Sequence, residues 1–280
     1  MPAAHRYTEV DVFTSTPLLG NPVAVVHDAD DLSDAQLAAF ARWTNLSETT
    51  FLLRPTRPGA DYRVRIFTPG GELPFAGHPT LGTCHAWLGA GGLPVDGDTI
   101  TQDCTVGPVT IRRTGDRLAF AAPPLRQDRP LEDAELASAL DVLGLPADAV
   151  VDHRLLDNGP AWPVLLLDAA DRVLELRPDW SRAAPGKLGV VAPRPAGGRT
   201  AFEMRAFAPG IGIQEDPVTG SLNASVGEWL TRTGRAPAAY VAAQGTAVGR
   251  AGRVHVERED SGRIWVGGAT VTVVEGTVRL

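Results

Sequence analysis

Hydrophobic and polar positions alternate in short runs far more often than they recur at helical spacing, so the chain predicts many strands and few helices. Tyr7 to Phe13 reads as a strand, and a turn through Pro17 and Gly20-Asn21-Pro22 leads to a second at Val23 to His27. Leu32 to Thr44 is a helix: Ser33 caps it, Gln36 follows three residues on, and Leu37, Phe40 and Ala41 form one apolar stripe. NLSETTFLL ends in a strand, and Tyr62 to Thr68 alternates as another. Thr80 to Leu88 is predicted as a helix that stops at Gly89. Strands follow at Val106 to Arg113 and Arg117 to Ala121, and APPLRQDRP (122–130) reads as a linker. Beyond it lie a capped helix at 132–143, closed by Gly144 and Pro146, and strands at 150–155, 163–167, 188–192 and Thr200 to Ala206. A helix at Ser221 to Thr233 precedes a β-meander from Ala247 to Leu280. The class is α+β with strands in excess.

Self-comparison exposes a repeat. RIFTP at 65–69 is echoed by RAFAP at 205–209, and GHPTLGT at 77–83 by EDPVTGS at 215–221. Two linked matches in one order predict two similar halves related by a pseudo-twofold axis. Each half then delivers a polar side chain, His78 or Asp216, just before a helix N-terminus. Backbone amides near Gly82-Thr83 and Gly220-Ser221 are expected to lack intrahelical partners there and to favour a carboxylate or enolate oxygen.

Composition narrows the chemistry. The chain has 280 residues, 44% hydrophobic and 21% charged, which fits one large domain or two ordinary ones and excludes disorder as the main state. A formal net charge of −7 gives no general attraction to nucleic acid or anionic lipid. With no long apolar run and no leader-like start, a soluble cytoplasmic protein without membrane contact is expected. Cys84 and Cys104 are too few for a disulfide framework or a structural zinc site, so the sequons at Asn45 and Asn223 read as accidental. Lys187 is the only lysine and lies in the loop-like APGKLG; neither a Walker-type loop nor G-x-G-x-x-G is present. No cofactor and no metal are expected.

Taken together, GNPVAVV, NLSETTF, RIFTPGGELPFAGHPTLGT, NGPAW and EDPVTGS resemble the PhzF-like isomerase family, named for phenazine biosynthesis, in order from about residue 7 to the C-terminus. The resemblance implies the diaminopimelate epimerase fold: two pseudo-symmetric domains, each a β-barrel-like sheet around a central helix, with the active site in the cleft. It implies a lobe of residues 1–120 to which the strand 268–280 returns, a second lobe of 121–267, and a homodimer. It places the family's general base at Glu48 and carries His78, Asp216 and Ser221 over as matching positions. Gly70, Gly71 and Leu222-Asn223-Ala224 depart from the common family pattern, which leaves the substrate open. The wider superfamily uses a cysteine pair as bases; neither His78 nor Asp216 is a cysteine, so a thiol-based racemase is disfavoured.

Residue by residue, Glu48 stands between a polar turn and the apolar Phe51-Leu52-Leu53, where partial desolvation suits a general base. Neutral His78 relays a proton near pH 7, and Asp216 serves as both helix cap and acid or base. Ser221 and Thr83 are read as first-turn residues that bind substrate, together with Ser47, Gly77 and Gly220. Asn21 is mainly a turn residue with ligand contact as the minor reading. His85, seven residues after His78, lacks the third ligand a metal needs. The expected function is cofactor-independent isomerisation of a small carboxylate-bearing metabolite. Two alternatives stand beside it: a two-base amino-acid epimerase or racemase, and a binding protein that has lost its reaction.

Overall fold

A computed structural model of the chain describes residues 3–182 and 186–280. The strands are β1 (Ala4–Val12), β2 (Asn21–Val26), β3 (Thr49–Leu53), β4 (Tyr62–Thr68), β5 (Gly71–Leu73), β6 (Thr99–Cys104), β7 (Gly107–Thr114) and β8 (Arg117–Ala121). They continue with β9 (Gln127–Arg129), β10 (Val150–Asp157), β11 (Ala161–Leu167), β12 (Leu188–Pro193), β13 (Phe202–Ala208), β14 (Ile213–Asp216), β15 (Ala239–Gln244), β16 (Gly252–Arg258) and β17 (Ile264–Arg279). The helices are α1 (Asp34–Thr44), α2 (Gly77–Gly89), α3 (Asp133–Leu143), α4 (Ala170–Glu175) and α5 (Gly220–Arg232). Two compact units divide the chain: Met1–Ala121 with Gly267–Leu280, and Ala122–Val266.

In the first unit the strands close on themselves. β1 pairs with β2, β2 with β3, β3 with β4, β4 with β6, β6 with β7 and β7 with β8. β8 then pairs with β17, and β17 with β1. This ring of eight strands leaves no free edge. Helix α2 packs on β1, β2, β3, β6 and β8, so its residues, among them Leu81, Gly82, Thr83 and Cys84, are buried nearly all round. Glycine permits that approach: a Cβ on Gly82 would stand 2.2 Å from Val23 Cγ1. α1 lies outside the ring, where Leu37, Phe40 and Ala41 meet Val26, Phe51 and Phe67.

The second unit repeats the hydrogen-bond order pair by pair. The antiparallel β10–β11, parallel β11–β12, antiparallel β12–β13, antiparallel β13–β14, parallel β13–β15 and antiparallel β15–β16 match β1–β2, β2–β3, β3–β4, β4–β5, β4–β6 and β6–β7 in sense. α5 occupies the place of α2, and its Gly227 stands close to Val256 for the same reason as Gly82 to Val23. α3 and α4 contribute Ala139, Leu143 and Val173 to a core built on Leu165, Leu167, Leu188 and Val190.

Several elements depart from the sequence expectation. α2 begins at Gly77 rather than Thr80, because Pro79 sits in the first turn, where a helix needs no amide donor from it. β6 is absent from the sequence reading because Gln102 and Asp103 face inward at 0% and 3% exposure and break the apolar alternation. The presumed linker carries β9, which pairs with β10. β5, α4, β14 and β15 were also unforeseen, and three of these four are short. The terminal meander is two strands, one of them 16 residues long. The loop expected around Lys187 lies partly outside the described residues.

Candidate active site

Local chain chemistry places Glu48. Asn45 closes α1 in the left-handed region (φ 55°), which turns the chain through Leu46-Ser47 and into β3. The parallel pairing Ala24↔Thr49 then sets Glu48 beside the start of β2, where Asn21 lies fully buried. The first turn of α2 brings the buried His78 to the same place. His78 Nε2 lies 3.4 Å from Glu48 Oε2. On the far side of the ring, His78 Nδ1 lies 3.3 Å from Asn21 Nδ2, and Ser47 Oγ donates to Asn21 Oδ1 at 3.5 Å. An amide NH₂ only donates, so with Asn21 in this orientation Nδ1 accepts and the imidazole proton falls on Nε2, the nitrogen nearer the carboxylate. Glu48, His78, Asn21 and Ser47 are therefore brought together. The amides of Gly77 and His78 point out of the N-terminal end of α2, whose dipole favours an anion.

In the second unit Asp216 ends β14, and Thr219 is the N-cap of α5. Thr219 Oγ1 donates to Asp216 Oδ2 at 2.5 Å. Gln244, at the end of β15 and fully buried, accepts from the Thr219 amide at 3.1 Å and from Asn223 Nδ2 at 2.8 Å. Its Nε2 donates to the Asp216 carbonyl at 3.1 Å and to Thr219 Oγ1 at 2.9 Å. Gly220 and Ser221 form the first turn of α5. Ser221 Oγ accepts from Trp162 Nε1 at 3.1 Å, and the Ser221 carbonyl accepts from Asn158 Nδ2 at 2.9 Å.

The strand register corrects the repeat. Ile66 pairs with Leu73, and Ala206 pairs with Asp216. A bidentate ion pair appears at the adjacent position in each unit, Arg65–Glu72 and Arg205–Glu215. Asp216 therefore corresponds to Leu73, and Ser221, second residue of α5, corresponds to His78, second residue of α2. The sequence match of His78 to Asp216 slipped because the β13–β14 connection, which holds a short 3₁₀ turn at Pro209–Ile211, is longer than its counterpart. Gly82 and Thr83 are also displaced from expectation: they lie beyond the first turn of α2, so their amides bond within the helix. Thr83 is buried and donates its hydroxyl to Thr50 Oγ1 at 2.8 Å, a packing contact rather than a ligand-facing place.

The sequence pattern alone does not point to Thr219, Gln244, Asn158 and Trp162. Three of them lie within DPVTGS and NGPAW, segments whose residue types mark the motif but do not reveal their hydrogen-bond partners. Gln244 carries no local signal. His85 is held between Thr270 and Thr272, each hydroxyl 2.9 Å from a ring nitrogen. Among the described residues no group of three or more His, Cys, Asp or Glu side chains is placed to hold a metal ion. Burial pushes the Cys84 thiol up to about 12, far from a working thiolate. No helix among the described residues is long and apolar enough to cross a membrane.

Comparison with known proteins gives a consistent picture. The family described as phenazine biosynthesis-like protein (PhzC-PhzF) matches residues 10–276. A protein of Schizosaccharomyces pombe called antisense-enhancing sequence 1 is 36% identical, with 97% of this chain and 98% of that protein aligned. The trans-2,3-dihydro-3-hydroxyanthranilate isomerase of Pseudomonas fluorescens is also 36% identical, over 99% of this chain and all of that one. Among solved structures, a PhzF family protein of Bacillus anthracis shares the fold with a TM-score of 0.85 at 22% identity, covering 99% of this chain and 100% of that one.

Proposed function

This chain belongs to the phenazine biosynthesis-like (PhzC-PhzF) family and is an isomerase of that type, and from that premise we propose that it shifts a proton within a small unsaturated carboxylate without an added cofactor. The substrate class follows relatives that are named for trans-2,3-dihydro-3-hydroxyanthranilate, so a cyclic diene bearing a carboxylate is the first candidate. Glu48 removes a proton from a carbon next to the conjugated system, and the electron pair of that C–H bond enters the π system. A proton is then returned at another carbon. One proton leaves and one arrives, so the step is redox-neutral.

The observation that carries this reading is the Glu48–His78 contact at 3.4 Å, with Asn21 behind the imidazole. A carboxylate acceptor and a neutral N–H donor in contact make a pair that takes a proton and steadies the resulting charge. Asp216 is the second proton-handling group. Each unit offers an anion-binding helix start of its own: the Gly77 amide at the start of α2 in the first, and Ser221 with the Gly220 amide at the start of α5 in the second.

Incubating the enzyme with trans-2,3-dihydro-3-hydroxyanthranilate in deuterated water tests the reading. A product with a relocated double bond and solvent deuterium at the new C–H is expected, and Glu48→Gln is expected to abolish both. A substrate skeleton returned unchanged but inverted and deuterated would make the protein an epimerase. Binding without any exchange would make it a silent binder.

A further inference from the structure

Gln244 cannot be turned around. Its Oε1 meets the Thr219 amide, a group that only donates, and its Nε2 meets the Asp216 carbonyl, a group that only accepts. Either contact would become a donor–donor or acceptor–acceptor clash if the side-chain amide flipped, so both backbone groups fix it in one sense. Asn223 adds to this, because its Nδ2 also donates to Thr219 O and so addresses Gln244 as a donor.

The second N–H of Gln244 then decides the state of Thr219. It is directed at Oγ1 at 2.9 Å, which makes the hydroxyl an acceptor on that side. Thr219 is 7% exposed, and among the described residues the other group meeting its hydroxyl is Asp216 Oδ2 at 2.5 Å. The single hydroxyl proton therefore goes to Asp216 Oδ2. A proton on that oxygen instead would send both Gln244 and Asp216 as donors into Thr219 and leave the buried threonine proton with no acceptor, a costly arrangement.

We infer that Gln244 and Thr219 are positioning residues that fix Asp216 Oδ2 as a hydrogen-bond acceptor, so that a proton carried by Asp216 during turnover is exchanged at Oδ1. The relay runs in one direction, from the Gln244 amide through the Thr219 hydroxyl to the carboxylate, and its orientation is set by backbone groups of β14 and α5. This deepens the isomerase reading, because it assigns proton exchange at Asp216 to one oxygen, and it rests on that reading only for its kinetic arm.

The test has two arms, one of them independent of any substrate. In the first, the protein is labelled with ¹³C at aspartate side-chain carboxyls, and the Asp216 signal is identified by its loss in Asp216→Asn. Thr219→Val, which removes the hydrogen bond to Oδ2, is expected to shift that signal, while Thr219→Ser leaves it near the wild-type position; a signal unmoved by Thr219→Val overturns the inference. In the second, trans-2,3-dihydro-3-hydroxyanthranilate is the probe. Thr219→Val keeps the shape but removes the hydroxyl and is expected to lower kcat by about 10- to 100-fold with KM little changed, while Thr219→Ser restores most of the rate. Thr219→Val with wild-type kcat, or Thr219→Ser as impaired as Thr219→Val, overturns the positioning role. Failure of the wild-type enzyme to convert the probe would count against the proposed substrate alone, since the labelled carboxyl still reports whether Thr219 is bonded to Asp216.

Discussion

His78 Nδ1 and Asn21 Nδ2 lie 3.3 Å apart, a contact that favours the imidazole proton on the other ring nitrogen. With Asn21 donating, the proton sits on Nε2, the ring nitrogen that lies 3.4 Å from Glu48 Oε2. Asn21→Asp exchanges the donor for an acceptor at nearly constant volume. The ring proton is then expected on Nδ1, so Nε2 turns a lone pair toward the Glu48 carboxylate. ¹⁵N spectra of the His78 ring should show the tautomer exchanged, and kcat should fall by about 10²-fold or more, the low end of a general acid–base contribution. An unchanged tautomer would disprove the role given to Asn21.

A separate prediction concerns the buried helix. A Cβ on Gly82 would stand 2.2 Å from Val23 Cγ1 and 3.1 Å from Val12 Cγ2, so Gly82→Ala forces α2 away from β1 and β2. Overpacking of this kind costs about 1–3 kcal/mol. Denaturant unfolding should register that loss, and Val23→Ala added to Gly82→Ala should recover part of it. A stability equal to wild type would mean that the helix is not held against β2.

What could be read from the sequence follows the range of the forces involved. Ser33 and Gln36 were legible as a capping box because both partners lie within one turn, and the structure has that box at the start of α1. Tyr62–Thr68 was legible because its alternation is clean. β6 was not, because Gln102 and Asp103 point inward and are satisfied at long range: Gln102 by Tyr62 and Thr80, Asp103 by Thr56 and Arg57. Glu48 and His78 were legible as chemistry-bearing residues within motifs, whereas Gln244 was silent, since its meaning depends on a threonine amide 25 positions away. The repeat was legible as a repeat, but its register required the Ala206↔Asp216 pairing.

Acid should weaken the fold through His27. Its ring is buried, and burial first, then Arg6, lowers its pKa from 6.5 to about 4. His27 is therefore neutral in the folded protein over a range where the unfolded chain binds a proton. Stability is complete above about pH 6.5 and is lost as pH falls toward 4. Between pH 7 and pH 5 the loss from this residue is about 2 kcal/mol. Burial lowers the His85 pKa as well, which acts in the same direction. Urea unfolding at the two pH values should show this difference in wild type and a smaller one in His27→Gln; equal slopes would refute it.

A thiol mechanism is ruled on by Cys84. Its side chain is fully buried on α2, and its thiol is held up to about 12 by burial. Native protein should resist iodoacetamide at Cys84 until denaturant is added, and Cys84→Ala should retain isomerisation. Loss of turnover in a folded Cys84→Ala would bring the thiol-based reading back.

Ser221 offers the last test, because its hydroxyl is oriented by a group that can only donate. Trp162 Nε1 gives its proton to Ser221 Oγ, which leaves the serine proton to be given onward. A substrate carboxylate is a suitable acceptor, and the amides of the α5 N-terminus favour the same charge. Trp162→Phe removes the donor while keeping most of the buried ring, so the hydroxyl loses its fixed direction. KM is expected to rise about 5- to 10-fold with kcat nearly constant, the size of one neutral hydrogen bond. Ser221→Ala should do the same. If the indole acts through the serine, the double variant should be no worse than the more impaired single variant, since each change removes the same interaction. Additive losses would mean that Trp162 contributes to binding by packing alone, and that the serine finds its orientation elsewhere.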